Sequence, residues 1–135
     1  MPIYPATGPS TAILLNPNQS KFLFTVADRL ATGNPLGTPL SSIAYQLERQ
    51  KAASYPWGFA IEVKFNGAPG GNLELDVQGA EVDIDSHYVL LGTAITAVNS
   101  NNAARFDSTT VWPKYVRLQV VKLANDVQMD AIITR

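Results

Sequence analysis

Residues 55–78, YPWGFAIEVKFNGAPGGNLELDVQ, carry the clearest pattern in the chain and decide its fold class. Apolar side chains alternate with mainly polar ones over 59–65 and again over 73–78, which is the period of a half-buried strand. A Gly/Pro-rich connection, NGAPGGN at 66–72, joins the two segments. The pattern predicts a β-hairpin. Because an isolated hairpin is not stable in water, other strands must cover its apolar face.

Composition limits the class of protein. The chain has 135 residues, which suits one domain with a core between two packed layers. Only 16% of the residues are charged, and acids and bases are interspersed to a net charge of −1. Because no basic stripe exists for a phosphate backbone, we expect no nucleic-acid partner. A lightly charged surface is typical either of a protein partly covered by partners or of an ordinary antiparallel β-protein.

The sequence contains no cysteine, so it forms no disulfide and no thiolate metal site. It has no run of about 18 apolar residues, and we therefore expect no membrane span. Its first residues lack the basic start and long apolar centre of a secretory signal. These features favour a protein that is assembled and used inside a cell.

The first twenty residues differ in character from the rest. Prolines at 2, 5, 9 and 17 favour extended backbone, so we predict a Pro-rich arm over 1–20 and a β-sandwich domain over 21–135. The arm contains one short apolar piece, residues 12–15. Two interpretations stay open: a poorly ordered terminus or edge strand of the domain, and an arm that packs on a neighbouring subunit.

Further strands are expected along the chain. Residues 40–51 fit a strand better than a helix, although both periods are present. Residues 115–123 and 127–133 predict a C-terminal hairpin. Other segments are read as a strand at 21–28, a loop at 31–39, one bent or two short strands at 88–98, a polar loop at 99–102 and a short strand at 103–106. The total, about eight strands without a helix, predicts an antiparallel β-sandwich of jelly-roll type.

Catalytic chemistry finds little support in the residues. His87 is the only histidine, and it fits a polar surface position or a strand end better than a base or metal ligand. No Gly-x-Ser-x-Gly segment supplies a nucleophile. The acids at 74, 76, 81, 83 and 85 miss the EF-hand spacing and read as a solvated face. We therefore predict a protein that is not an enzyme, with no catalytic residues, cofactor or metal.

The two tryptophans leave one alternative open. Trp57 and Trp112 each stand beside a proline, which suggests corners where strands enter the sandwich. Two aromatic rings can also form a platform for sugars. A carbohydrate-binding module is therefore the alternative to a purely structural role.

Several segments together resemble small virion proteins of tailed bacteriophages. They are YPWGFAIEVKFNGAPG, LELDVQ, YVLLGT and FDSTTVWPKYVRLQVVKL, within residues 43–135. More narrowly, the chain resembles capsid cement or decoration proteins, which are single jelly-roll-like domains on the outer head shell. The most distinctive segment is WPKYVR at 112–117. Similar segments also occur in sandwiches of the tail and baseplate, so an adhesion component there is a further alternative.

The resemblance implies a non-enzymatic role on the outer surface of the virion capsid, in a protein made in the host cytoplasm. It implies binding across joints between major capsid protein subunits, as a homodimer or homotrimer, and stabilisation of the shell against internal pressure. We hypothesise that the arm and the loop at 31–39 contact these partners. The predicted contact residues are Ile3, Tyr4, Ile13, Leu14, Leu15 and Leu36.

Overall fold

A computed structural model describes residues 12–16, 18–28, 30, 32–47, 58–108 and 113–135. These residues form ten strands and one short 3-10 turn. In chain order they are β1 (Ile13–Leu15), β2 (Ser20–Phe24), β3 (Leu40–Ser41), β4 (Tyr45–Leu47), β5 (Phe59–Phe65), β6 (Glu74–Ala80), the turn Asp85–His87, β7 (Val89–Leu90), β8 (Ala103–Ser108), β9 (Tyr115–Lys122) and β10 (Met129–Thr134).

The strands form two sheets. Sheet A has six strands in the order β1-β4-β9-β6-β7, with β3 also paired to β9, and sheet B has four in the order β2-β10-β5-β8. The pairs are antiparallel except for β1 and β4, which run parallel. The predicted all-β sandwich is therefore confirmed. The described residues hold more strands than predicted, because 13–15 forms one and 40–47 forms two.

The inner faces of the two sheets enclose the core. Alternation places Ile61, Val63 and Phe65 of β5 against the core from sheet B, and all three side chains are buried. Leu118 and Val120 of β9 do the same from sheet A. The apolar periodicity at 59–65 and 115–123 therefore reports burial in this shared core, as expected.

The predicted hairpin over 55–78 is wrong as a pairing, although both of its strands exist. β5 pairs with β10 and β8 in sheet B, whereas β6 pairs with β9 and β7 in sheet A. Alternation shows only that each strand has one apolar face. Two such strands can lie side by side in one sheet, or they can lie in different sheets with their apolar faces on opposite sides of the core. The connection at 66–72 is longer than the usual hairpin loop of about two to five residues. It crosses from one sheet to the other.

The predicted C-terminal hairpin needs the same correction. β9 lies in sheet A beside β6, β3 and β4, while β10 lies in sheet B between β2 and β5. Residues 123–128 therefore cross between the sheets. The end of the chain is buried as predicted, but against β2 and β5 rather than against β9.

Other segment predictions hold in part in the described residues. Of residues 88–98, predicted as one bent or two short strands, only Val89–Leu90 is a strand, and Ile95 forms a single bridge with Leu75. The strand predicted at 21–28 is shorter, because β2 ends at Phe24 and residues 25–28 form a turn. Residues 32–39 are an irregular loop, tied by Gly33 to Leu123 directly after β9. Residues 40–47 are extended, as favoured, but broken between β3 and β4, where the Ser42 hydroxyl accepts a 2.9 Å hydrogen bond from the Leu118 N–H. Residues 48–51 lie outside the described part.

The pairing along the chain is nested. β6 pairs with β7, β5 with β8, β4 with β9 and β2 with β10. Each pair lies outside the previous one in sequence. The cross-pairs β5·β10 and β6·β9 complete the two sheets.

Candidate functional site

The residues considered for catalysis do not assemble into a reactive site in the described part of the chain. His87 lies exposed in the 3-10 turn. No group of three or more His, Asp or Glu side chains among the described residues is placed to hold a metal ion. Trp57 and Trp112, the residues of the sugar-platform alternative, lie outside the described residues.

The acidic stretch 81–85 is only partly the solvated face that the sequence predicts, because Glu81 and Asp85 are exposed but Asp83 is buried. Asp83 is 7% exposed and accepts a 2.7 Å hydrogen bond from the Tyr88 hydroxyl. Asp85 is exposed, and its Oδ1 lies 2.7 Å from Nη1 of Arg117. The chain leaves β6 after Ala80 and folds back through the 3-10 turn, so strand alternation does not govern these side chains.

Arg117 is the centre of this cluster. It lies on the outer face of sheet A but is only 2% exposed, because Tyr88 covers it. Its guanidinium carbon is 4.0 Å from the centroid of the Tyr88 ring, and its Nε donates a 2.8 Å hydrogen bond to Gln78. Burial, followed by the neighbouring Asp83 carboxylate, raises the pKa of Tyr88. The cluster holds loop 81–88 against sheet A.

A seam of polar side chains continues across the outer face of sheet A. Gln78 donates to Gln119 at 3.0 Å, and Gln119 donates to the Ser41 hydroxyl at 3.2 Å. Beside it, burial first and the Glu74 carboxyl second raise the pKa of Asp76 to about 6. One carboxylate oxygen of Asp76, Oδ1, is buried without a hydrogen-bond partner. The seam ties β3, β6 and β9 together and is a structural feature of the sheet.

Most of the exposed large apolar side chains of the described residues lie on the end strands of the two sheets. The β1/β2 edge, where the outermost strands of the two sheets meet, carries Ile13, Leu14 and Phe22. Val26 lies in the turn after β2 and lines the cleft at that end of the strand. A hydrogen bond from the Tyr45 hydroxyl to the Phe22 carbonyl joins the sheets there. The β7 edge, at the other end of sheet A, carries Val82, Val89 and Leu90.

The predicted contact residues fall into three groups. Ile13 and Leu14 are each 44% exposed on the β1/β2 edge. Leu15 and Leu36 are buried in the core of their own chain, so their side chains offer no exposed surface to a partner. Leu15 points inward from β1, and the loop that carries Leu36 folds back on β9, where the Leu36 N–H donates to the Val121 carbonyl at 2.9 Å. Ile3 and Tyr4 lie outside the described residues.

A cleft of about 700 Å³ opens where loops meet at one end of the sandwich. Its polar groups largely bond to one another: Asp28 accepts from the Thr25 N–H at 2.8 Å, and Asn66 donates to Gln128 at 3.1 Å. The described lining contains no aromatic ring on which a sugar could stack. The lining residues are Val26, Ala27, Asp28, Leu30, Thr32, Asn66, Asp126, Val127 and Gln128.

Among the described residues, no helix is long and apolar enough to cross a membrane. A scan against protein-family models and a search of curated proteins found no match to the sequence.

Proposed function

We propose that this protein is a non-enzymatic virion structural protein, a capsid cement or decoration protein. It binds the outer surface of the phage head across major capsid protein subunits and stabilises the shell. The observation that carries the proposal is the placement of most exposed large apolar side chains on the β1/β2 edge and on the β7 edge of the sandwich. Such edges suit a module held between neighbours, because exposed apolar patches mark interaction surfaces.

The strand connectivity supports the proposal. We infer a jelly roll from the nested pairs β6·β7, β5·β8, β4·β9 and β2·β10, because a jelly roll is a double sheet built from two Greek keys. The resemblance of residues 43–135 to cement proteins implies the same single jelly-roll-like domain.

The outer face of sheet B is consistent with many weak contacts. Arg105 lies between the carboxylates of Glu62 and Asp107, and these side chains are all more than half exposed. Such a charge-balanced face offers no strong field of one sign to a partner. Affinity for a shell would then come from repetition over the lattice, since multivalent binding multiplies weak individual contacts.

The test uses phage heads assembled without this protein, incubated with the purified chain and sedimented. We expect the full-length protein to sediment with the heads and a variant lacking residues 1–11, which retains β1, to bind at lower occupancy. The Ala68→Lys variant, altered at an exposed site in the connection between β5 and β6, is the matched control and should bind like the wild type.

A glycan array distinguishes the carbohydrate-binding alternative from the proposed role on the capsid. Binding of a glycan that is lost in Trp57→Ala, together with no sedimentation on heads, would support a carbohydrate-binding module and contradict the proposal. Equal occupancy of the full-length protein and the variant lacking residues 1–11 would show that this part of the arm does not contribute to binding the head.

A further inference from the structure

We propose that Asn66 is a site of spontaneous covalent modification, at which the side-chain amide cyclises onto the Gly67 nitrogen and is then hydrolysed to an acid. The connection NGAPGGN at 66–72 contains the only Asn-Gly pair in the sequence. Because glycine has no Cβ, its backbone bends readily and its nitrogen is open to a neighbouring carbonyl carbon. The inference concerns the chain itself and does not depend on the proposed role on the capsid.

The reaction needs no reagent except water. The Gly67 nitrogen attacks Cγ of Asn66 and loses its proton, while Nδ2 leaves as ammonia, so a cyclic imide forms without any change of oxidation state. Water then opens the ring at either carbonyl group. Opening at one carbonyl gives aspartate. Opening at the other gives isoaspartate, in which the main chain runs through the side-chain carbon and gains a methylene group between residues 66 and 67.

In the folded protein, Gln128 restrains the Asn66 side chain. Asn66 Nδ2 donates a 3.1 Å hydrogen bond to Gln128 Oε1, and Asn66 Oδ1 accepts a 2.9 Å bond from the Gln128 N–H. The Asn66 N–H also donates to the Gln128 carbonyl at 3.1 Å, directly beyond the pair of Phe65 with Met129. These contacts hold the amide across the sheet, towards β10. Ring closure must break both side-chain contacts, so the fold slows the reaction.

The site is nevertheless open to water. Asn66 and Gln128 are both exposed, and both line the cleft of about 700 Å³ at this end of the sandwich. A hydrogen bond between two exposed side chains contributes little net free energy, so it opens without unfolding of the domain. The restraint therefore slows the modification but does not prevent it.

Modification should loosen the end of the sandwich at which two connections between the sheets meet. A carboxylate at position 66 cannot donate to Gln128, and it joins Asp28 and Asp126 in the lining of the cleft. The added methylene of isoaspartate has little room, because a Cβ atom on Gly67 would lie 3.3 Å from Cγ1 of Val127. Repulsion between like charges and a displaced backbone both lower stability.

The experiment stores the purified protein at mildly alkaline pH and follows the modification by peptide mass spectrometry. We expect the amide at residue 66 to become an acid, with isoaspartate as well as aspartate in the product. Gln128→Ala should be modified about threefold faster or more, because it loses one hydrogen bond that restrains the amide. Gly67→Ala should be modified more slowly than the wild type, because the added methyl group hinders the attacking nitrogen.

Thr134→Ala is the matched control for Gln128→Ala. It breaks an exposed side-chain hydrogen bond, with Ser20, at the other end of β10, so it should be modified at the wild-type rate. Thermal melting before storage checks that each variant is folded. If Gln128→Ala is unfolded, the comparison of Gly67→Ala with the wild type still tests the site.

Three results would overturn the inference. The first is a wild type and a Gln128→Ala variant that both keep the amide at residue 66 through prolonged storage. The second is a Gly67→Ala variant that is modified as fast as the wild type. The third is equal acceleration in Thr134→Ala and Gln128→Ala, which would assign the effect to a general loss of stability. The modified protein, separated by its added negative charge, should melt at a lower temperature than the unmodified protein, and equal melting would contradict the loosening.

Discussion

Arg117 illustrates what strand alternation reveals and what it does not. The period-2 pattern in β9 places Arg117 on the face opposite Leu118, which is correct. The same pattern suggests a solvated side chain, yet Tyr88 from a separate segment covers it. The covering segment 81–88 is irregular, and the alternation of polar and apolar residues over 81–85 does not indicate that Tyr88 lies over Arg117. The burial of Arg117 and Asp83 therefore could not be predicted from the sequence.

Replacing Arg117 should show how much this residue contributes to the stability of the fold. Arg117→Ala removes the contact with the Tyr88 ring, the bond to Gln78 and the ion pair with Asp85. We expect these losses to lower the free energy of unfolding by about 2–3 kcal/mol. The loss is no larger because Asp85 is half exposed, so water can solvate its carboxylate when Arg117 is absent. Urea denaturation measures it.

Arg105→Ala is the matched control for that change. Arg105 also bridges acidic side chains, but in an exposed setting, so its removal should cost less than about 1 kcal/mol. Equal losses in the two variants would contradict a structural role for the buried cluster.

Asp76 should make stability depend on pH. Its pKa is raised to about 6 in the folded protein, so the folded state holds a proton that the unfolded state releases at lower pH. Its contribution to stability is therefore greatest below its ordinary pKa and falls as the pH rises towards and through 6. Asp76→Asn cannot ionise, and it should be more stable than the wild type at pH 7 by about 1 kcal/mol, allowing for solvent screening.

The measurement is thermal or urea unfolding of Asp76→Asn at pH 4 and pH 7, with Asp107→Asn as the exposed control. The stability gain should appear at pH 7 and shrink at pH 4. A gain of the same size at both pH values would show that the carboxyl group does not titrate in this window.

At the scale of the elements, periodicity predicts strands but not their partners. β5, β6, β9 and β10 all lie where the alternation places them. Both predicted hairpins are wrong, because a period of two reports a buried face and is silent about the neighbour in the sheet. Short strands such as β3 and β7 carry too few residues to show a period at all. Their places depend on hydrogen bonds to distant strands, which a local pattern does not contain.

The close contact between β6 and the segment before β9 gives a test at this scale. A Cβ atom added to Gly79 would lie 2.2 Å from Cγ of Pro113. Gly79→Ala should therefore force a shift in the backbone and lower the free energy of unfolding by about 1–3 kcal/mol. Gly71→Ala, where an added Cβ meets no atom within 4 Å, should be nearly neutral in the same urea titration. Similar losses in both variants would contradict this packing.

For the whole molecule, the sequence predicts a single all-β sandwich but not the distribution of its surface. Ile13, Leu14 and Leu15 are consecutive apolar residues with no local difference in pattern. The first two are exposed and the third is in the core, because their environment is set by β4 and by the meeting of the two sheets. The apolar edges therefore emerge only from the assembled fold. They are the feature on which the proposed role in a shell depends.

Electron cryo-microscopy of phage heads with and without this protein tests that role most directly. We expect added density on the outer surface of the head, at joints between major capsid protein subunits, into which the two-sheet sandwich fits with its edges towards its neighbours. Density confined to the tail or baseplate, or heads that are unchanged by the protein, would contradict a capsid cement.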